Sequence, residues 1–181
     1  MMTDDIERVL LTEKQLAAKI EELGKKISDD YRDRDSDLLC ISVLKGAVIF
    51  FSDLIREMDI HTQIDFMVVS SYGSGTSSSG VVKIVKDLDI PLEGRDVLII
   101  EDILDSGKTL AYLKSILNSR GARSIKICTL LDKPARREAD IHADYCGFEI
   151  PDEFVVGFGL DYAERYRNLP YIGILKSSVY S

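Results

Sequence analysis

The chain has 181 residues, 45% of them hydrophobic and 30% charged, and its 31 Asp and Glu against 23 Lys and Arg leave a net charge of −8. That length suits one domain with a single core, and the acidic balance argues against a general binder of nucleic acid or of an anionic membrane, since both depend on excess Lys and Arg. No stretch approaches the roughly 18 apolar residues that cross a bilayer, and the acidic start Met1-Met2-Thr3-Asp4-Asp5 lacks the apolar segment of a signal peptide, so the expected location is the cytoplasm.

From the amino end, Thr12 to Leu23 carries apolar residues at helical spacing (Leu16, Ile20, Leu23), with Thr12 as N-cap and Gly24 close to the end. Leu38 to Val43 is an unbroken apolar run expected as a buried strand, and Gly46 to Met58 an amphipathic helix. Ile64 to Ser70 follows as a second strand. Ser71 to Gly80 is rich in Gly and Ser and lies between two strand-like segments; its composition alone leaves open a solvated tip, a linker or a functional loop. Asp96 to Ile100 is a third buried strand, followed by a helix carrying Leu110, Leu113, Ile116 and Leu117, and Ser124 to Leu131 is a fourth. Beyond it, Pro134, Gly147, Pro151 and Pro170 punctuate short segments that suggest a small hood rather than further strand–helix units. The alternation predicts an α/β fold, a central mostly parallel sheet flanked by helices with right-handed crossovers. Neither half holds a complete sheet, so a single domain over 1–181 is expected, with its core at about 38–132, a hood from the N-terminal and C-terminal segments, and a mobile loop at 71–80.

Three cysteines (Cys40, Cys128, Cys146) lack metal-ligand spacing, and Cys40 and Cys128 lie in apolar runs, so they read as small buried hydrophobes. The two histidines, His61 and His142, stand in no motif, which makes a histidine-based triad improbable. The chemistry concentrates instead in Val97 to Leu110, where an aliphatic run leads through Glu101, Asp102, Ile103, Leu104 and Asp105 into the turn Ser106-Gly107-Lys108-Thr109. Ligands of parallel sheets bind beyond the carboxyl ends of the strands. A turn opening a helix there directs backbone N–H groups and the positive end of the helix dipole outward, which makes a phosphate cradle. A P-loop is excluded by spacing, because Asp102 stands where its first glycine is required. Carboxylates beside a phosphate site repel the ligand unless sugar hydroxyls or a divalent cation occupy them.

This arrangement resembles the 5-phosphoribosyl-1-pyrophosphate motif of the type I phosphoribosyltransferases: a hydrophobic strand, two acids, a further acid, then a small-residue turn. Leu44-Lys45-Gly46-Ala47, Leu131-Asp132-Lys133 and Pro151 to Tyr162, with Arg167 behind, resemble the hypoxanthine-guanine members of that family, and the matching stretches run in order from about residue 38 to 175. The resemblance implies transfer of a phosphoribosyl group from 5-phosphoribosyl-1-pyrophosphate to hypoxanthine or guanine, releasing pyrophosphate. It implies that Glu101 and Asp102 bind the ribose hydroxyls beside Mg2+, that Asp161 is a further magnesium ligand, and that Asp105 is the general base toward the purine. Ile103 and Leu104 belong to the same motif, and Ser106, Gly107, Lys108 and Thr109 hold the 5′-phosphate. Lys45 and Gly46 form the pyrophosphate loop, where the peptide before the lysine is often cis, and Arg167 contacts pyrophosphate. Lys133 donates to the purine 6-oxygen, Phe154 stacks on the base, Val155 offers backbone groups, and the loop beginning at Ser71 and Tyr72 closes over the site. Family members form homodimers or homotetramers.

Read without the resemblance, Lys108 is a solvated lysine at a helix start, Lys45 a surface residue at a strand end, and Phe154 a core residue in an apolar run. Arg136 and Arg137 receive no individual role. Two other functions remain open on sequence: a phosphoribosyltransferase-like RNA-binding regulator of a pyrimidine operon, which the acidic balance weakens, and a transferase with a different base preference, xanthine included.

Overall fold

Long aliphatic runs need burial on both faces, and here they become the inner strands of a six-stranded sheet. The structure, a computed structural model, describes residues 1–71 and 82–180. A first strand β1 (Ile6–Leu11) precedes the long helix α1 (Glu13–Tyr31), followed by β2 (Leu38–Leu44), α2 (Val48–Arg56), β3 (Thr62–Ser71), β4 (Val82–Lys86), β5 (Asp96–Leu104), α3 (Lys108–Ser119), β6 (Ser124–Asp132) and β7 (Tyr145–Glu149). Two short strands, β8 (Val155–Val156) and β9 (Ile172–Leu175), and a last helical turn, α4 (Ser177–Tyr180), follow, and short 3-10 turns stand at Met2–Asp5 and Pro134–Arg136. The main sheet has the order β4-β3-β2-β5-β6-β7. Every neighbouring pair in it is parallel except β3 and β4.

β5 is central, and its side chains alternate between two layers as strand geometry requires. Leu98 and Ile100 join a core with Leu16 and Ile20 of α1 and Phe50 and Leu54 of α2. Val97 and Ile99 meet Leu110, Leu113 and Leu117 of α3 on the other face. A second sheet, β1-β9-β8, is antiparallel and combines the amino-terminal strand with the carboxyl-terminal ones. Its Leu11, Val155, Ile172 and Ile174 enter the same cluster as α1 and α2, so it rests on the main core.

Four sequence expectations are corrected. The Thr12 cap holds, with Gln15 N–H donating to Thr12 Oγ1 at 3.3 Å, but α1 continues past Gly24 to Tyr31. Gly24 is a packing site, since a Cβ there would lie 2.6 Å from Glu57 Cβ and 2.7 Å from its carbonyl oxygen. α2 starts at Val48, leaving Gly46 in the turn before it. β5 extends beyond Ile100 to Leu104, because Ile103 and Leu104 stay in register with Leu131 and Asp132 of β6. The acidic pair therefore lies on a strand and not after one. Finally, Tyr145–Glu149 is not part of a hood: it adds a sixth strand parallel to β6. The expected lid loop lies, from Tyr72 to Gly80, outside the described residues, and Ser71 ends β3 opposite Val82.

Candidate active site

Glu101 and Asp102 lie near the carboxyl end of the central strand, Glu101 buried and Asp102 half-buried. Glu101 is buried, and that burial, with Asp102 beside it, pushes its carboxyl well above the usual range. Burial raises Asp102 as well, to about 6, against backbone N–H bonds such as that of Ile103 at 2.8 Å which favour its ionised form. Among the described residues neither carboxylate has an ion-pair partner. Gly46 permits this packing, because a Cβ at that position would overlap the Asp102 carboxylate. Gly46→Ala should therefore displace the Asp102 side chain while circular dichroism stays native. The Leu44–Lys45 peptide just before it is cis.

Beyond Leu104 the chain turns through Asp105 and Ser106 to Gly107, whose φ of 81° is the left-handed conformation that glycine adopts without strain. α3 begins at Lys108, and the first-turn amides of a helix have no intrahelical acceptors. Residues from Glu101 to Gly107, with Thr109 and Leu110, line a cleft of about 180 Å³. Lys108 does not line it: its ammonium pairs with Glu138 at 2.5 Å. Thr109 is the side chain that the helix start presents to the cleft. Asp105 keeps Oδ1 enclosed without a hydrogen-bond partner among the described residues, and its Oδ2 lies 3.7 Å from the Arg136 guanidinium, which also holds Asp152 at 2.8 Å.

Lys133 follows β6 and is only 6% exposed, so it is no solvated surface residue. Its Nζ donates to the Glu153 carbonyl at 2.6 Å. Burial lowers its pKa, with Asp105 acting in the opposite sense. Phe154, next in the chain to that carbonyl, is 37% exposed and therefore not a core residue. It stacks on Tyr180 with centroids 4.7 Å apart and meets Tyr162 edge-on at 5.7 Å. Val155 is buried in β8, while the Phe154 carbonyl accepts from Leu175 N–H at 2.9 Å.

Residues 159–167 supply a second set of charges. Arg167 pairs with Asp161 at 2.9 Å and with Glu164 at 3.4 Å, and donates to the Gly159 carbonyl at 2.8 Å. Lys45 also reaches Glu164, at 3.0 Å. Gly159 closes this edge, since a Cβ there would overlap the Gly46 carbonyl oxygen. Lys45, Asp161 and Arg167 thus share one network, centred on a residue, Glu164, that sequence reasoning did not single out. Its signal is tertiary: Ala163, Glu164 and Tyr166 have φ of 50°, 63° and 74°, a sharply turned loop that no motif announces. Among the described residues no three His, Cys, Asp or Glu side chains converge as a ligand group, so Glu101, Asp102 and Asp161 do not form a ready-made cage. Asp161 is already engaged by Arg167.

A mostly parallel sheet whose central strand carries two acids near its end and turns through a glycine into a helix start defines an α/β protein with its candidate site at the carboxyl edge of the sheet. A model of the phosphoribosyl transferase domain matches residues 9–163, and the chain belongs to the phosphoribosyltransferase family. It is 60% identical to a hypoxanthine-guanine phosphoribosyltransferase of Bacillus subtilis (strain 168), over 99% of both chains. The crystal structure of a hypoxanthine phosphoribosyltransferase from Staphylococcus aureus superposes with a TM-score of 0.95 at 55% identity, covering 99% of this chain and 97% of that one. A hypoxanthine phosphoribosyltransferase variant of Trypanosoma cruzi, in a ternary complex with substrates, gives a TM-score of 0.93 at 39% identity over 98% of this chain and all of the other (100%).

Proposed function

We propose that the protein is a purine-salvage pentosyltransferase that moves the 5-phosphoribosyl group from 5-phosphoribosyl-1-pyrophosphate to hypoxanthine or guanine, giving IMP or GMP and pyrophosphate. The observation that carries the base assignment is the buried Lys133 ammonium, fixed on the Glu153 carbonyl beside the exposed ring of Phe154. An ammonium donates and cannot accept. It favours a purine with an oxygen at the 6-position and opposes the amino group of adenine.

In the proposed reaction the C1′–oxygen bond to pyrophosphate breaks and the bond from purine N9 to C1′ forms, while the proton on N7 passes to Asp105. The turn from Ser106 to Thr109 holds the 5′-phosphate, Phe154 supports the base, and Lys45 and Arg167 face the pyrophosphate. The acids Glu101 and Asp102, which have no ion-pair partner among the described residues, suit ribose hydroxyls and a magnesium ion, an ion that keeps several waters and draws ligands from substrate oxygens. When bound, magnesium supplies positive charge against the leaving pyrophosphate. No helix among the described residues is long and apolar enough to cross a membrane. A cytoplasmic homodimer or homotetramer is the proposed working form.

A spectrophotometric panel of bases with the donor and magnesium tests this reading. Hypoxanthine and guanine should turn over, with adenine, uracil and orotate poor; comparable rates with adenine would remove the purine pocket. Xanthine in the same panel separates the branch with that preference. Lys133→Ala should raise the KM for hypoxanthine about 10- to 100-fold, the worth of a hydrogen bond from a charged donor, and narrow the gap to adenine. Unchanged base kinetics would assign Lys133 to packing alone.

A further inference from the structure

We propose that Arg137 is a positioning residue of the transfer reaction, one that aims both the general base and the phosphate-binding amides; this rests on the roles given above to Asp105 and Ser106. Its side chain is only 13% exposed. Its Nε donates to the Asp105 carbonyl at 2.9 Å, Nη2 to the Leu104 carbonyl at 3.2 Å and Nη1 to the Ile141 carbonyl at 2.7 Å. Nη2 also bonds to the Asp132 carboxylate at the end of β6, which balances the charge.

The consequence follows from peptide geometry. In a planar trans peptide the N–H points away from the carbonyl of the same unit. Holding the Leu104 carbonyl back against Arg137 directs the Asp105 N–H the opposite way, and holding the Asp105 carbonyl does the same for the Ser106 N–H. The next carbonyl, of Ser106, accepts from Glu138 N–H at 2.9 Å and Ala139 N–H at 3.1 Å, which directs the Gly107 N–H similarly. Three successive carbonyls are thus fastened behind the turn: Arg137 holds that of Asp105, shares that of Leu104 with Lys133 N–H at 2.9 Å, and leaves that of Ser106 to the amides of Glu138 and Ala139. Arg137 Cδ also lies 3.0 Å from the place a Cβ at Gly107 would take, with Ile141 Cγ2 nearer at 2.6 Å, so both stems pack against the turn. Arg136, its neighbour, is half-exposed and reaches only side chains. The two arginines do different work.

Lysine at position 137 keeps a charge for Asp132 but cannot reproduce a fork shared among several carbonyls. Arg137→Lys should lower kcat about 10-fold or more, as small displacements of reacting groups do, and raise the donor KM several-fold, with circular dichroism unchanged. The same substitution in an Asp105→Asn background separates the parts: its effect on kcat should shrink to less than about twofold, because the base it aims is gone, while its effect on donor KM persists. Arg137→Gln is the harsher companion, and Arg137→Lys carries the test if Gln prevents folding. Wild-type kcat and donor KM in Arg137→Lys, with Asp105→Asn still impaired, would overturn the inference alone. An undiminished loss of kcat in the double variant would show that Arg137 does not act through Asp105. A wild-type rate for Asp105→Asn by itself would remove the base assignment and this inference with it.

Discussion

Asp105→Asn is expected to slow single-turnover transfer by at least ~100-fold while leaving donor affinity within about twofold, the range that general acid–base groups contribute. The amide keeps the shape of the carboxylate and can remain in the same turn, but it cannot take a proton from purine N7. The surroundings favour a clean result. Asp105 Oδ1 is enclosed with no hydrogen-bond partner, so a substitution there breaks no existing network on that oxygen, and the backbone of the turn is held independently by Arg137 and by the amides of Glu138 and Ala139. Rapid-quench measurement of nucleotide formation, with the donor prebound, isolates the chemical step from product release. A variant that transfers at the wild-type rate would exclude Asp105 as base. A loss of donor affinity as large as the loss of rate would make it a binding residue instead.

Local signals were legible where the chain itself carries them. Thr12 caps a helix because its hydroxyl and Gln15 bond reciprocally, a relation between residues three apart, and β2 and β5 are buried strands because nothing but an inner sheet position accepts such runs of Leu, Ile and Val. What escaped was set by distant partners. Gly24 looks like a helix stop until Glu57 is packed against it. β5 outlasts its aliphatic run because β6 keeps pairing with it. Phe154 sits in an apolar run that favours the core, yet β8 turns it to the surface against Tyr180 and Tyr162. Lys108 lies at a helix start that suits phosphate, and its ammonium goes to Glu138, thirty residues later in the chain. Arg137 and Glu164 had no pattern to betray them. Each acts by reaching carbonyls or cations that the sequence places far away.

Replacing the paired acids, Glu101→Gln with Asp102→Asn, should weaken donor binding in magnesium by at least ~100-fold, since two hydrogen bonds to ionised groups are worth about 1.5–3 kcal/mol each. The same change should make the free protein more stable at neutral pH. Burial raises Asp102 from its ordinary value of 3.8 to about 6, and Glu101 shifts in the same direction. Between those pH values the folded protein retains on Asp102 a proton that the unfolded chain has released, so the Asp102 part of wild-type stability falls as pH rises from about 4 to 6 and its cost is complete above 6, while Glu101 adds a loss that begins near its ordinary value and extends upward. For Asp102 alone that cost is up to about 3 kcal/mol, and in a chain of this size each kcal/mol moves Tm by about 2–4 °C. The amides have no proton to lose, so the variant's Tm advantage should reach several degrees at pH 8 and shrink toward zero near pH 4. A folded state that holds two carboxyls whose ionised forms burial disfavours, with no ion-pair partner among the described residues, is intelligible if a ligand uses them. Wild-type donor affinity in the double variant would deny them that ligand, and a Tm difference equal at pH 4 and pH 8 would show that their burial is not what the protein pays for.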